Sequence, residues 1–94
     1  MKKKINQITI IGTGLIGSSL GLALKQKKIA NSIIGIDKSK VNLKNALENN
    51  SIDESRLKID SRIKESDIIF LCTPVSLIDP ITIQLFSFLK KTPS

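Results

Sequence analysis

The stretch that decides the fold runs from residue 7 to residue 17 and reads Gln-Ile-Thr-Ile-Ile-Gly-Thr-Gly-Leu-Ile-Gly. Its first five residues are mostly β-branched and end at Gly12, which predicts a strand. After the glycines, the apolar residues Ile16, Leu20 and Leu24 recur every four positions, which predicts a helix with one apolar stripe. A strand, a glycine-rich turn and a helix therefore follow one another.

Three further segments are predicted to be strands. Residues 32–37, Ser-Ile-Ile-Gly-Ile-Asp, form a second β-branched run, and residues 57–60 form a short, weakly marked one. Residues 68–72, Ile-Ile-Phe-Leu-Cys, are continuously apolar, which is typical of a parallel strand buried on both faces.

Helices are predicted between and after these strands. Ser39 is expected to cap a second helix that fades at Glu48, and residues 61–66 form at most one helical turn. Asp79 followed by Pro80 predicts the start of a last helix, which ends at Lys90-Lys91.

The resulting order of elements is β-α-β-α-β-β-α. Parallel strands need long crossover connections, so this alternation is typical of a parallel sheet. Right-handed crossovers then place helices on both faces. We expect an α/β fold with a Rossmann-like doubly wound parallel sheet, incomplete at the C-terminal end of the chain.

The composition excludes several classes of protein. The chain has 94 residues, 40% hydrophobic and 24% charged, which fits one packed domain at most and excludes a disordered tail. Histidine is absent, so no imidazole can act as a general base or metal ligand. Cys72 is the only cysteine, which excludes an intrachain disulfide and fits a reducing cytoplasm.

The net charge of +7 does not by itself identify a partner. The three aromatic residues, all phenylalanines, lie in apolar runs rather than among the lysines, so nucleic-acid binding is not expected. The apolar stretch 8–24 is broken by glycines and is followed by lysines, without the cleavage site of a signal peptide. It is also at the short limit for a membrane span, so we expect a cytoplasmic protein without a membrane partner.

The glycines at 12, 14 and 17 have the G-x-G-x-x-G spacing of a dinucleotide-binding turn. The confirming context is a preceding strand, a following helix and an acidic residue about 20 positions on, and Asp37 lies 20 residues past Gly17. Gly12 would permit the tight turn, Gly14 the approach of the pyrophosphate, and Gly17 close packing of helix and strand. The alternative is a glycine-rich turn that binds nothing.

Asp37 also bears on the choice of cofactor. A carboxylate at this point accepts hydrogen bonds from the adenosine ribose of NAD and repels the 2′-phosphate of NADP, so NAD is favoured. Lys38 and Lys40 soften this preference, since a nearby cation can accommodate a 2′-phosphate, although both are also ordinary solvated lysines. Asp37 can instead be a solvated strand end or the cap of the next helix.

Thr73 and Pro74 follow the strand that should lie beside the first one, at the point where the strand order reverses. Ligands of doubly wound sheets bind at this point, so Thr73 is expected to face the nicotinamide half of the cofactor, unless it merely ends its strand. Cys72 is expected to be a small buried residue rather than a nucleophile. The candidate cofactor-binding residues are Gly12, Thr13, Gly14, Leu15, Ile16, Gly17, Asp37, Lys38, Thr73 and Pro74.

Three blocks of the sequence resemble the N-terminal NAD(P)-binding part of the prephenate/arogenate (cyclohexadienyl) dehydrogenases of tyrosine biosynthesis. They are residues 10–24 (Ile-Ile-Gly-Thr-Gly-Leu-Ile-Gly-Ser-Ser-Leu-Gly-Leu-Ala-Leu), 34–37 (Ile-Gly-Ile-Asp) and 66–75 (Ser-Asp-Ile-Ile-Phe-Leu-Cys-Thr-Pro-Val). The Leu-Ile-Gly-Ser-Ser-Leu and Asp-Ile-Ile-Phe-Leu-Cys-Thr-Pro motifs are more specific than the glycines alone.

The resemblance implies oxidative decarboxylation of prephenate or arogenate, with hydride transfer to the nicotinamide. Family members continue into a Gly-x-His-Pro segment with the catalytic histidine and then into a helical substrate and dimerisation domain, and this chain stops at Ser94 before both. We therefore expect residues 1–94 to be the N-terminal part of a dinucleotide-binding domain with no catalytic residue, silent alone, and a homodimer in its full-length form.

Two other classes share this glycine turn. One is another dehydrogenase or reductase of the 6-phosphogluconate type, and the other is a non-enzymatic nucleotide-sensing module. A sensing module should bind its nucleotide as a self-sufficient folded dimer. Here the strand at 68–72 is expected near a sheet edge, which predicts marginal stability or self-association.

Overall fold

The computed structural model describes residues 5–73, so the helix predicted after Pro80 lies outside the described residues. The elements in chain order are β1 (Ile5–Ile11), α1 (Leu15–Gln26), β2 (Ala30–Ile36), α2 (Lys40–Glu48), β3 (Glu54–Arg56), a 3-10 helix (Ser61–Glu65) and β4 (Ile68–Leu71). The strand, turn and helix predicted around the glycines are all present.

The four strands form one parallel sheet in the order β3-β2-β1-β4. The chain moves outward from β1 through β2 to β3 and then returns to pair β4 with the other side of β1. In register, Ile8 lies between Ile33 of β2 and Ile68 of β4. This order confirms the predicted α/β class and places a topological switch point between the carboxyl ends of β1 and β4.

One face of the sheet is covered by the two α-helices. Side chains alternate between the faces of a strand, and Ile8, Ile10 and Ile33 point to this face. They pack against Leu43 and Ala46 of α2, and partly buried leucines of α1 join the same cluster. Both helices therefore share one layer, as right-handed crossovers in one direction require.

The opposite face is covered by the 3-10 helix and the segment before it. Ile11, Ile34 and Ile36 pack there against Ile59 and Ile63. The sheet is thus covered on both sides, although within residues 5–73 both α-helices lie on one side and the 3-10 helix lies on the other. The single helical turn predicted at residues 61–66 corresponds to this 3-10 helix.

A buried polar cluster closes this second face at the start of β1. Gln7 Nε2 donates to Arg62 O at 3.2 Å and to Ser66 Oγ at 2.9 Å, and Thr9 Oγ1 shares a hydrogen bond with the same Ser66 hydroxyl. Buried polar groups need such partners, because an unpaired one costs about 1–3 kcal/mol. The cluster anchors the 3-10 helix to the central strand.

Two strand predictions are corrected by the structure. The third strand is Glu54–Arg56 rather than residues 57–60, and Ile59 serves the second core instead. β4 lies at one edge of the described sheet, as the sequence predicted, but it is less buried than predicted, because its end residues Ile68 and Leu71 are more than one third exposed.

An ion-pair network holds the segment after β3. Glu54 accepts from Arg56 at 2.8 Å and from Arg62 at 3.2 Å, and Arg56 also reaches Asp60 at 3.3 Å. Partial burial by itself raises the pKa of Glu54, but the hydrogen bonds and charges of the two arginines outweigh it and leave that pKa lowered. Because these side chains are partly exposed, the network contributes modestly to stability.

Candidate functional site

Gly12 follows β1 directly, in a backbone conformation that favours glycine. Its φ is +98°, a region that L side chains rarely adopt, and a Cβ there would lie 2.8 Å from the carbonyl carbon and oxygen of Cys72. The Gly12 N–H donates to Ile36 O at 2.7 Å. The turn therefore starts wedged between the ends of β2 and β4, at the switch point of the sheet.

Gly17 is required by the packing of α1 against this turn. A Cβ on Gly17 would lie 1.8 Å from Gly12 O, and one on Gly21 would lie 2.2 Å from Ser51 O. The buried line of α1 therefore runs along its glycines, with Leu20 and Leu24 beside them. Ile16, predicted to lie on the apolar stripe, is instead 73% exposed.

The N-terminus of α1 faces the open side of the turn. The first intrahelical hydrogen bond runs from Ser18 N to Gly14 O at 2.8 Å, so the N–H groups of residues 15–17 precede the helical ladder. No side chain of the described residues caps the N-terminus of this helix. Free N–H groups at the positive end of a helix dipole form a binding site for a diphosphate. Leu15 and Ile16 flank them with exposed apolar side chains.

Gly14 is the one glycine of the turn that packing among residues 5–73 does not explain. Its φ of −70° is accessible to any residue, and the nearest atom to an added Cβ is Asn42 Nδ2 at 3.8 Å. The backbone beside the free N–H groups is therefore bare and open. A side chain at this position would fill space that a pyrophosphate needs for close approach to the backbone.

Asp37 lies beside the turn and holds it in place. Its Oδ2 accepts from Thr13 N at 2.8 Å, from Thr13 Oγ1 at 3.2 Å and from Asn42 Nδ2 at 3.2 Å. Its Oδ1 accepts from Ser39 N at 2.9 Å. One carboxylate therefore links the glycine turn to the first turn of α2.

These contacts keep Asp37 ionised. Partial burial alone raises the pKa of Asp37, but hydrogen bonds from Ser39 N, Thr13 and Asn42 outweigh it and lower that pKa below its usual value. An acceptor that is charged at neutral pH thus lies next to the N-terminal end of α1. Ser39 caps α2 as predicted, its Oγ accepting from Asn42 N at 3.1 Å.

The positively charged side chains near Asp37 differ in exposure and in pairing. Lys38 and Lys40 are exposed at the start of α2. Arg56 lies on the neighbouring strand, where its carbonyl accepts from Asp37 N at 3.2 Å and its guanidinium pairs with Glu54. Asn42 was not among the residues predicted from the sequence; its position three residues after the Ser39 cap indicates only that it lies in the first turn of α2.

Thr73 lies at the carboxyl end of β4, where the sequence predicted it. Its Cγ2 would lie 2.9 Å from a Cβ on Gly12, and its buried Oγ1 has no hydrogen-bond partner among the described residues. An unpaired buried hydroxyl at a switch point fits a cofactor group as its missing partner. Cys72, predicted to be buried, is only partly buried, and this burial raises the pKa of its thiol, which does not favour a nucleophile. Pro74 lies outside the described residues.

Taken together, the described residues offer free N–H groups, a bare backbone at Gly14, an ionised acceptor and an unpaired hydroxyl near the carboxyl ends of the strands. These groups suit a dinucleotide. None of the helices in residues 5–73 is long and apolar enough to cross a membrane. Over the same residues, no group of three or more His, Cys, Asp or Glu side chains is placed to hold a metal ion.

Comparison with known proteins points to one family. Residues 20–93 match the family model described as the nucleotide-binding domain of prephenate dehydrogenase. The prephenate dehydrogenase of Lactococcus lactis subsp. cremoris is 33% identical over 84 residues, covering 89% of this chain and 23% of that protein. That of Bacillus subtilis is 36% identical over 75 residues, covering 80% of this chain and 20% of that protein.

A solved structure supports the fold. The crystal structure of prephenate dehydrogenase from A. aeolicus, in complex with hydroxyphenyl propionate and NAD⁺, superposes with a TM-score of 0.84 at 23% identity. The alignment covers 95% of this chain and 32% of that one. The chain therefore spans between a fifth and a quarter of the length of the curated relatives it matches.

Proposed function

Because this chain belongs to the prephenate dehydrogenase nucleotide-binding family, we propose that its residues 12–17 and Asp37 bind NAD⁺ as part of such an enzyme. In this proposal the N–H groups of Leu15, Ile16 and Gly17 receive the pyrophosphate, and Asp37 receives the adenosine ribose. Thr73 receives a polar group of the nicotinamide half.

Gly14 carries the proposal. Gly12 and Gly17 are glycines because neighbouring backbone leaves no room for a Cβ, whereas a Cβ on Gly14 would meet no atom of the described residues closer than 3.8 Å. Glycine generally costs stability relative to alanine through the entropy of the unfolded chain. Packing among the described residues does not require a glycine at position 14. A ligand that contacts the backbone beside the free N–H groups of the helix would explain it.

The preference for NAD over NADP follows from charge. Asp37 is held ionised, and a 2′-phosphate beside it would meet like charge. Lys38 is exposed and next in sequence, and it is the residue that would accommodate a 2′-phosphate if the preference were reversed.

For the complete enzyme we propose oxidative decarboxylation of prephenate or arogenate. Hydride leaves the ring carbon that bears the hydroxyl and passes to NAD⁺, while the ring carboxylate leaves as carbon dioxide and the ring becomes aromatic. The 94 residues contain no histidine, so we propose that the groups acting on substrate lie outside them and that this chain alone binds cofactor without turnover. The family match over residues 20–93 favours this enzyme over the other two classes that share the glycine turn.

Calorimetric titration of the folded chain with NAD⁺ and with NADP⁺ in the same buffer tests the proposal. We expect tighter binding of NAD⁺, and loss of that binding in Asp37→Ala and Gly14→Val. Ala23→Val, at an exposed position of α1, is the matched control and should bind as the unmodified chain does. A folded chain that binds neither dinucleotide would contradict the proposal, and tighter NADP⁺ binding would contradict the cofactor preference.

A further inference from the structure

Asn42 lies between the Asp37 carboxylate and the open side of the glycine turn. Its Nδ2 donates to Asp37 Oδ2 at 3.2 Å, and the same atom is the nearest one to an added Cβ on Gly14, at 3.8 Å. The cap of α2 does not use this side chain, because Ser39 Oγ accepts from the Asn42 backbone N–H. The amide is therefore free to serve the carboxylate.

The two carboxylate oxygens of Asp37 accept different numbers of hydrogen bonds. A carboxylate oxygen offers about two lone pairs, and Oδ2 already accepts from Thr13 N, Thr13 Oγ1 and Asn42 Nδ2. Within residues 5–73, Oδ1 accepts only from Ser39 N. One acceptor position thus remains on Oδ1, and it matches a single hydroxyl donor of a ribose.

We propose that Asn42 is a positioning residue that fixes the Asp37 carboxylate, leaving Oδ1 for the adenosine ribose, and so sets the preference of the site for NAD over NADP. This inference rests on the proposed function. It assigns the two oxygens different tasks: Oδ2 holds the glycine turn, and Oδ1 receives the ligand.

The electrostatics around Asp37 agree with this role. The groups that lower its pKa are hydrogen-bond donors, including the Asn42 amide, and no charged neighbour is among them. Lys38 and Lys40 lie at the start of α2, and Lys44 and Glu48 lie further along that helix. On β3, Arg56 is paired with Glu54 and also reaches Asp60. Residues 12–17 of the turn carry no charge.

Replacing the amide with an apolar group of similar shape tests the proposal. Asn42→Leu removes the donor, and Asn45→Leu makes the same change at an exposed position one turn away. We expect N42L to weaken NAD⁺ binding about tenfold, which corresponds to the loss of one hydrogen bond to a charged group. NADP⁺ binding should change by less than about twofold, since a 2′-phosphate gains nothing from Asp37. N45L should change neither.

Replacing Asn42 with an acidic residue adds a second measurement, the pH dependence of NAD⁺ binding. A purely structural role of Asn42 would not change this pH dependence. In Asn42→Asp two carboxylates face each other, so at about pH 8 their repulsion should weaken NAD⁺ binding. As the pH falls to about 5, the pair takes up a shared proton, which restores a donor to Asp37 Oδ2. NAD⁺ affinity of N42D should therefore recover with acid, while Asn45→Asp should follow the pH profile of the unmodified chain.

The outcomes separate the inference from the proposed function. The unmodified chain is titrated first, and failure to bind either dinucleotide overturns the proposed function before any variant is measured. If it binds NAD⁺ and N42L binds it equally well, the role of Asn42 is overturned alone. An equal loss of NAD⁺ and NADP⁺ binding in N42L, or a pH profile of N42D that matches N45D, also overturns the positioning role.

Discussion

At the scale of single residues, Gly14 and Gly17 occupy the same turn for different reasons. Gly17 is required by the fold, because a Cβ would lie 1.8 Å from the Gly12 carbonyl oxygen. Gly14 has room for a Cβ and an ordinary φ of −70°. Stability and ligand binding should therefore respond separately to substitutions at these two positions.

Gly14→Ala should change the free energy of unfolding by less than about 1 kcal/mol, the scale of a glycine-to-alanine effect at an unstrained position, and should weaken NAD⁺ binding. Gly17→Ala should lower the free energy of unfolding by about 3 kcal/mol or more, because the overlap is with backbone and cannot be relieved by a rotamer change. Urea denaturation and calorimetric titration of both variants make the measurement. A G14A variant that binds NAD⁺ normally would remove the evidence for close approach at this position.

Asp37 should leave a mark on the acid stability of the chain. Its folded-state pKa is lowered, so its contribution to stability is present above the unfolded value of about 3.9 and is lost as pH falls through the lower folded-state value. Asp37→Asn should therefore be less stable than the unmodified chain at neutral pH and should lose less stability below about pH 4. Thermal melts at a series of pH values test this, with the exposed Glu48→Gln as control. Parallel pH profiles for D37N and the unmodified chain would contradict it.

At the scale of elements, sequence patterns predicted the features that depend on local sequence. They did not predict the features that depend on tertiary packing against other elements. The glycine turn, the Ser39 cap and the end of α2 follow from local chemistry. The strand Glu-Ser-Arg of β3 has no apolar signal of its own, and pairing with β2 determines it, while the nearby Ile59 belongs to the opposite core. Ile16 matched a helical stripe, yet the glycines of α1 face the sheet.

Dependence on tertiary packing also explains why the contact between Asn42 and Asp37 was not predicted. Asp37 could be placed from its spacing to the glycines, and the prediction that it binds ribose stays a prediction. That Asn42 reaches the same carboxylate depends on how α2 is set against the glycine turn, which sequence spacing does not give.

The close contact of α1 with Ser51 predicts that two reciprocal substitutions both destabilise the chain, for different reasons. Helix propensity favours alanine over glycine by about 1 kcal/mol, so Ala23→Gly at an exposed position should cost about that amount. Gly21→Ala should not gain it, because the new Cβ would lie 2.2 Å from Ser51 O. We expect a net loss of about 2 kcal/mol from the resulting overpacking. Urea midpoints decide between the two effects, and a stabilised G21A variant would contradict the packing described for α1.

At the scale of the whole molecule, the described sheet ends in two different edges. β3 is three residues long and carries Glu54 and Arg56, which discourages pairing with another chain. β4 is apolar and ends in Leu71, which is 38% exposed. The β4 edge is therefore the side from which self-association is expected.

Sedimentation velocity at increasing protein concentration should reveal this association. Leu71→Lys should reduce it, because charge at an edge strand opposes pairing with a second edge. Leu22→Lys is the matched control, since Leu22 is 39% exposed but lies on α1. Both variants must melt cooperatively for the comparison to hold. Equal suppression by the two variants would indicate a general charge effect and not association through β4.

The strand order also has a consequence for how the chain reaches this fold. Paired residues of β1 and β2 are 25 positions apart, whereas Ile8 and Ile68 of β1 and β4 are 60 apart. Closing the longer loop costs about 0.8 kcal/mol more in chain entropy. We therefore expect β1, β2 and the helix between them to form the folding nucleus and β4 to dock late. The part of the candidate site that includes Asp37 is then expected to form before Thr73 reaches its place, so the proposed contacts to the adenosine end of a dinucleotide should form before those to the nicotinamide end.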